Sequence, residues 1–220
     1  MLSPSAWIFD MDGVIIDSTQ THTEAWIAYL RQHGLDLPEV GSRMLGKHND
    51  AIVRDFFCDP GMTDHDVYEH GANKESLYRE LMAPLLEQKL LPGVREFLAS
   101  HSSVPAAVAT NAEAANVDFV LTGADLRSSF QAVVSGQDVQ RPKPAPDIFL
   151  RAAAMLGAQP SSCIVFEDSI TGVTAARAAG MRVVGVLSTL SELPGVDYAI
   201  RDFRDSGLDQ WLLSCTIPSR

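Results

Sequence analysis

Asp10 and Asp12 lie two residues apart, directly after the apolar run Trp7-Ile8-Phe9, and Gly13 follows them. Side chains alternate along an extended chain, so residues 10 and 12 point to one side. Two carboxylates held together repel, and the pair calls for a cation, a shared proton or water. Polar residues end two further apolar runs in the same way. Thr110-Asn111 closes the run 104–109, and Glu167-Asp168 closes the run 163–166. Between these two, Lys143 sits in Arg141-Pro142-Lys143-Pro144-Ala145-Pro146-Asp147. Carboxylates from two segments can hold a hard cation such as Mg²⁺, which takes oxygen ligands. Thr110 and Asn111 can donate to an anion, and Lys143 is a positive charge able to bind the same anion. Acids, a metal and a lysine together suit phosphoryl transfer, where stabilisation of charge dominates. One carboxylate can be the nucleophile and the other a general acid and base.

The elements that must position these groups follow from periodicity. Short apolar runs at 7–9, 104–109, 132–134, 163–166, 183–186 and 198–200 are continuous rather than alternating, as strands buried on both faces are. Helical patterns separate them, which predicts an α/β fold: a Rossmann-like parallel sheet with helices on both faces. In such a sheet the C-terminal strand ends share one edge, where ligands bind. Thr110 is also a candidate helix N-cap. Between residues 18 and 91 no strand is expected. Trp26, Ile27 and Leu30, then Ile52, Val53, Phe56 and Phe57, then Leu77, Leu81, Leu85 and Leu86 recur at helical spacing, with Gly and Pro breakers between them. Ser18 or Thr19 starts the first of these helices and Gly34 ends it. The organisation expected is a catalytic core of residues 1–17 and 92–220, with an α-helical cap domain inserted at 18–91.

A chain of 220 residues with 46% hydrophobic and 20% charged residues has the composition of a globular enzyme. The formal net charge of −11 argues against nucleic acid and against an anionic membrane surface as partners. No apolar run approaches the ~20 residues of a membrane span. Cys58, Cys163 and Cys215 are far apart and in no metal-ligand spacing, so a disulfide framework is not expected. These features predict a soluble, cytoplasmic protein; the partner expected is a small molecule, and the assembly expected is a monomer or weak homodimer.

The four segments together resemble those of the haloacid dehalogenase superfamily: Asp-x-Asp-Gly-Val, Thr-Asn, the lysine of Arg-Pro-Lys-Pro-Ala-Pro-Asp, and Glu-Asp-Ser followed by Thr-Gly, in family order and spacing. The resemblance implies that Asp10 is the nucleophile and Asp12 the general acid/base. It implies that Mg²⁺ is bound by Asp10, the Asp12 carbonyl and Asp168, with Glu167 a direct or supporting acid. Thr110, Asn111 and Lys143 would hold the phosphoryl group. Family members that cleave halides or phosphonates lack a carboxylate at the position of Asp12, so its presence implies a phosphate ester.

Within the superfamily the chain resembles the helical-cap phosphatases and β-phosphoglucomutases. His22 and Trp26 match residues that the mutases place at the cap hinge, and Lys74 falls where they carry a cap lysine. Lys47, His48 and Asn49 are further cap candidates; Lys47 reads as a surface or substrate-contact lysine. The mutase arginine that grips a second phosphate is Asn49 here, and Glu113 replaces a lysine after Thr110-Asn111. The expectation is a Mg²⁺-dependent phosphatase acting on a small phosphomonoester, such as a sugar phosphate, through an aspartyl-phosphate. The alternatives are a β-phosphoglucomutase and, in another class, a non-catalytic binding protein of the same fold.

Overall fold

The structure is a computed structural model and describes residues 6–44, 47 and 49–216; Gly46 and His48 lie outside the described residues. In chain order the elements are β1 (Ala6–Phe9), α1 (Thr19–Gln32), α2 (Val40–Met44), α3 (Asn49–Phe57), α4 (Asp64–Met82), α5 (Leu86–Lys89), α6 (Val94–Ser100), β2 (Ala106–Ala109), α7 (Ala114–Gly123), β3 (Ala132–Val134), α8 (Asp147–Met155), β4 (Cys163–Glu167), α9 (Ile170–Ala178), β5 (Arg182–Val186), β6 (Tyr198–Ile200) and α10 (Leu208–Thr216). The chain divides into two compact units, with breaks after Asp17 and after Lys89.

The first unit is built on a six-stranded sheet of order β3-β2-β1-β4-β5-β6, in which every pairing is parallel. The α/β fold expected from the apolar runs is the one observed. Alternation of side chains gives the sheet two different faces. Ala6, Ile8, Ala107, Ala109, Cys163 and Val165 face one way and are covered by Ile148, Phe149 and Ala152 of α8 and Val173 and Ala176 of α9. On the other face Phe9 stacks on Phe166 at 4.5 Å, and Phe97 and Phe203 pack around them. Burying each such ring contributes about 1.5–3 kcal/mol. Both faces are therefore apolar, which is why the strand sequences do not alternate. Where the chain leaves and returns, the Leu91 amide donates to the Ile15 carbonyl at 2.9 Å.

The second unit, residues 18–89, holds no strand among its described residues. Its core is Trp26, Tyr29, Leu30, Val40, Ile52, Val53, Phe56 and Val67. Ser18 is the N-cap of α1, and Gly34 follows its end in the left-handed region at φ +72°, which glycine adopts without strain. The buried line of α4 is Val67, Gly71, Lys74, Glu75, Tyr78 and Met82. Of the expected Leu77, Leu81, Leu85 and Leu86, Leu86 is buried in α5 and Leu77 packs partly buried against the core, while a charged pair, Lys74 and Glu75, lies within the buried line of α4.

Candidate active site

Strand register brings the chemistry-bearing residues together. Phe9 is aligned with Val108 on one side and Phe166 on the other, so Asp10, Thr110 and Glu167-Asp168 emerge at the same edge of adjacent strands. The Asp10 amide continues the ladder by donating to the Phe166 carbonyl at 3.0 Å, and the Thr110 amide donates to Val134 at 3.0 Å. Gly13, at φ +74°, turns the chain after Asp12. A Cβ there would overlap the Asp168 carboxylate, so glycine is required by space as well as by conformation.

Lys143 is buried and its ammonium bridges two carboxylates, at 3.0 Å from Asp10 Oδ1 and 2.7 Å from Glu167 Oε1. It also lies 4.8 Å from the centre of the Phe149 ring. Its loop is held at two points. The Lys143 amide donates to Asn111 Oδ1 at 3.1 Å, and Arg141 grips Asp147 through two hydrogen bonds of 3.1 and 3.0 Å. Asn111 thus anchors the lysine loop. The Thr110 hydroxyl is buried and accepts from the Ala112 amide at 3.2 Å. It is not a helix cap: α7 begins later, with Glu113 at its N-cap.

Glu167 is fully buried. Its Oε2 accepts from the amides of Asp168 and Ser169, each at 2.9 Å, and from the Ser169 hydroxyl at 3.0 Å. With Lys143 on Oε1, both of its oxygens are engaged. A Cβ at Gly172, in the first turn of α9, would overlap this carboxylate. Ser169 at the same time caps α9 by accepting from the Gly172 amide.

Charge sets the character of this edge. Asp10, Glu167 and Asp168 offer carboxylate oxygens within 4.8 Å of one another. Burial pushes the Asp10 carboxyl up to about 7; Lys143 opposes the shift, while Glu167 and Asp12 add to it. Burial, then Glu167 and Asp10, also raise Asp168 well above the usual carboxylate range, against Thr189 and Lys143. Burial alone would lower the Lys143 ammonium, but Asp10 and Glu167 outweigh it and raise it above the ordinary lysine range. One ammonium among three acids leaves a surplus of negative charge. An all-oxygen donor set with surplus charge fits a hard divalent cation. Asp12, half-buried, belongs to the same edge through its position after β1 and its charge on Asp10.

The remaining candidates lie in the second unit. Lys74 is only 1% exposed. Its ammonium is 2.6 Å from Glu75 Oε1, 3.2 Å from His22 Nδ1 and 4.9 Å from the centre of the Trp26 ring. His22 stacks on Tyr78 at 3.7 Å, and Asn49 donates to Glu75 Oε1 at 2.7 Å. His22, Trp26 and Lys74 thus form one buried cluster. Sequence reasoning missed Glu75 and Tyr78; helical spacing, four residues from Lys74, was the signal for Tyr78, and none marked Glu75. Lys47 is not part of it; its side chain is 42% exposed and pairs with Asp55 at 3.1 Å. Ser188 and Thr189, after β5, were also missed, and no local motif marks them.

Comparison with known proteins accords with this geometry. The sequence profile of the haloacid dehalogenase-like hydrolases matches residues 7–186. The chain is 36% identical over 179 residues to the fructose-1-phosphate phosphatase of Escherichia coli (strain K12), covering 81% of this chain and 94% of that protein. It is 30% identical over 211 residues to the β-phosphoglucomutase of Bacillus subtilis (strain 168), covering 93% and 92%. The crystal structure of a hydrolase of this superfamily from Entamoeba histolytica superposes with a TM-score of 0.84 at 26% identity, covering 97% of this chain and 100% of that one. An edge of clustered carboxylates bridged by a buried lysine, on a fold shared along nearly its whole length, places the chain in the haloacid dehalogenase-like hydrolase family.

Proposed function

We propose that this protein is a Mg²⁺-dependent phosphatase of small sugar phosphomonoesters. The observation that carries the reading is Lys143, bridging Asp10 and Glu167 at an edge that still holds surplus negative charge. Asp10 and Asp168, with the main-chain carbonyl of Asp12, would hold the cation. When bound, it supplies the positive charge that keeps Asp10 ionised and offsets the phosphate.

Asp10 is the nucleophile. One of its oxygens bonds to phosphorus as the bond from phosphorus to the sugar oxygen breaks, and Asp12 passes its proton to that leaving oxygen. Asp12, now a carboxylate, takes a proton from water. The water oxygen bonds to phosphorus, the bond to Asp10 breaks, and inorganic phosphate leaves. Lys143 and the Thr110 hydroxyl hold the phosphoryl oxygens, and Asn111 and Glu167 keep Lys143 in place.

The second unit favours hydrolysis over transfer to a second sugar phosphate. Lys74 is already matched by Glu75, and the residue following Lys47-His48 is Asn49, which donates to the same carboxylate. A lysine already matched by a carboxylate leaves no surplus positive charge for a second phosphate. The test is turnover of fructose 1-phosphate, hexitol phosphates and β-glucose 1-phosphate with Mg²⁺, following free phosphate and glucose 6-phosphate separately. Stoichiometric phosphate release is expected, with a loss of at least about 10⁴-fold in Asp10→Asn. Conversion of β-glucose 1-phosphate to glucose 6-phosphate without phosphate release would make the protein a mutase. An Asp10→Asn variant of full activity would overturn the chemistry altogether.

A further inference from the structure

The loop after β5 carries two hydroxyls that the chemistry above does not use. The Thr189 hydroxyl donates to Asp168 Oδ2. The neighbouring Ser188 hydroxyl donates to the Gly13 carbonyl at 2.5 Å. Gly13 is the residue whose missing Cβ leaves room for the Asp168 carboxylate, and that same Cβ would lie 3.0 Å from Thr189 Oγ1. Gly13, Asp168 and Thr189 therefore pack against one another although they come from three distant parts of the chain.

The loop is itself fixed. Its first residue, Leu187, donates its amide to Ile200 at the end of β6 at 2.8 Å. Upstream, Gly185 of β5 is in register with Glu167. Asp168 is thus held from two directions, by Glu167 on its amide and by Thr189 on one carboxylate oxygen. Among the described residues its other oxygen, Oδ1, takes no hydrogen bond. A carboxylate pinned by one oxygen presents the other in a defined direction, which is what a ligand to a hard cation requires.

The geometry points to Thr189 as the positioning residue for Asp168, with Ser188 as its support: the hydroxyl of Thr189 sets which Asp168 oxygen faces the cation and thereby sets Mg²⁺ affinity. This rests on the reading of Asp168 as a cation ligand. Thr189 touches neither substrate nor the reacting atoms; it acts through Asp168. Orienting partners of this kind are worth about 10–100-fold in metal affinity.

The experiment is calorimetric titration of the substrate-free protein with MgCl₂, for the parent and for Thr189→Val, Thr189→Ser, Thr189→Ala, Ser188→Ala and Asp168→Asn. Valine keeps the shape of threonine and removes the donor; serine keeps the donor. The expected result is a weakening of about 10–100-fold in Thr189→Val and Thr189→Ala, and affinity within about threefold of the parent in Thr189→Ser. Ser188→Ala falls between. In steady-state assays the loss appears in the Mg²⁺ half-saturation constant more than in turnover at saturating Mg²⁺. Unchanged affinity in both Thr189→Val and Thr189→Ala overturns the proposal, as does equal weakening in Thr189→Ser and Thr189→Val, which would assign the effect to packing. Asp168→Asn separates the two levels. If it binds Mg²⁺ like the parent, the cation-site reading itself fails; if it abolishes binding while Thr189→Val does not, only the role of Thr189 fails.

Discussion

Among the described residues two lysines are buried, one in each unit, and each lies close to 5 Å from the centre of an aromatic ring. Lys143 rests against Phe149 and Lys74 against Trp26. They differ in what surrounds the ammonium. Lys143 contacts Asp10 and Glu167, with the Asp168 carboxylate alongside. Lys74 has one carboxylate, Glu75, and its other neighbour is the imidazole of His22. The first arrangement is charge-deficient and gains from a further cation and from a phosphate drawn in with it. The second is balanced within its own unit. Burial of a lysine is therefore not the mark of a reactive site; the balance of charge around it is.

Replacing each lysine tests the distinction. Lys143→Met removes a donor to the phosphoryl group and the counter-charge of two acids, and phosphatase turnover should fall on the order of 10³-fold. Lys74→Met takes away the ammonium that sits 2.6 Å from the buried Glu75 carboxylate. Breaking a buried pair costs about 3–5 kcal/mol, a drop in thermal midpoint on the order of 10 °C. The double change Lys74→Met with Glu75→Gln should recover most of that drop. A Lys74 variant that keeps its melting point but loses turnover as Lys143→Met does would erase the contrast between the two sites.

The third and smallest effect is in pH. Asp10 titrates near 7 in the folded protein against 3.8 as a free side chain. Between those values the folded form holds a proton that the unfolded chain has released. This contribution to stability is full below about 4 and is lost as pH rises through about 7. Asp168, also raised, adds in the same direction. In EDTA the thermal midpoint should therefore decline by a few degrees from about pH 5 to about pH 8, and Mg²⁺ should flatten the decline. A midpoint independent of pH in EDTA would mean that the negative charge at this edge is already balanced.

The sheet was largely readable from the sequence, because β1, β2, β4 and β5 are buried on both faces and so appear as unbroken apolar runs such as Trp7-Ile8-Phe9 and Cys163-Ile164-Val165-Phe166. The residues that end those runs were equally visible. What stayed hidden depends on tertiary approach. Lys74 was named from the resemblance, but its burial was not, and Glu75 beside it went unnamed: both lie on the buried line of α4, while by residue type they belong to a solvated face. Thr189 and Ser188 sit in a loop with no motif, and their partners, Asp168 and Gly13, are brought to them only by the order of the strands. Thr110 has the residue type of a helix cap, but the chain runs on to Glu113 before α7 begins.

The central place of β1 in the sheet has a consequence for how the chain is made. Phe9 must wait for Val108 and Phe166 before either side of its strand is paired. The core of the second unit, from Trp26 to Val67, is complete in sequence long before then. On the ribosome the helical insert has all its partners early, while the first strand emerges as an apolar segment with none. Such a delay between synthesis and pairing leaves residues 6–9 exposed to aggregation on the nascent chain.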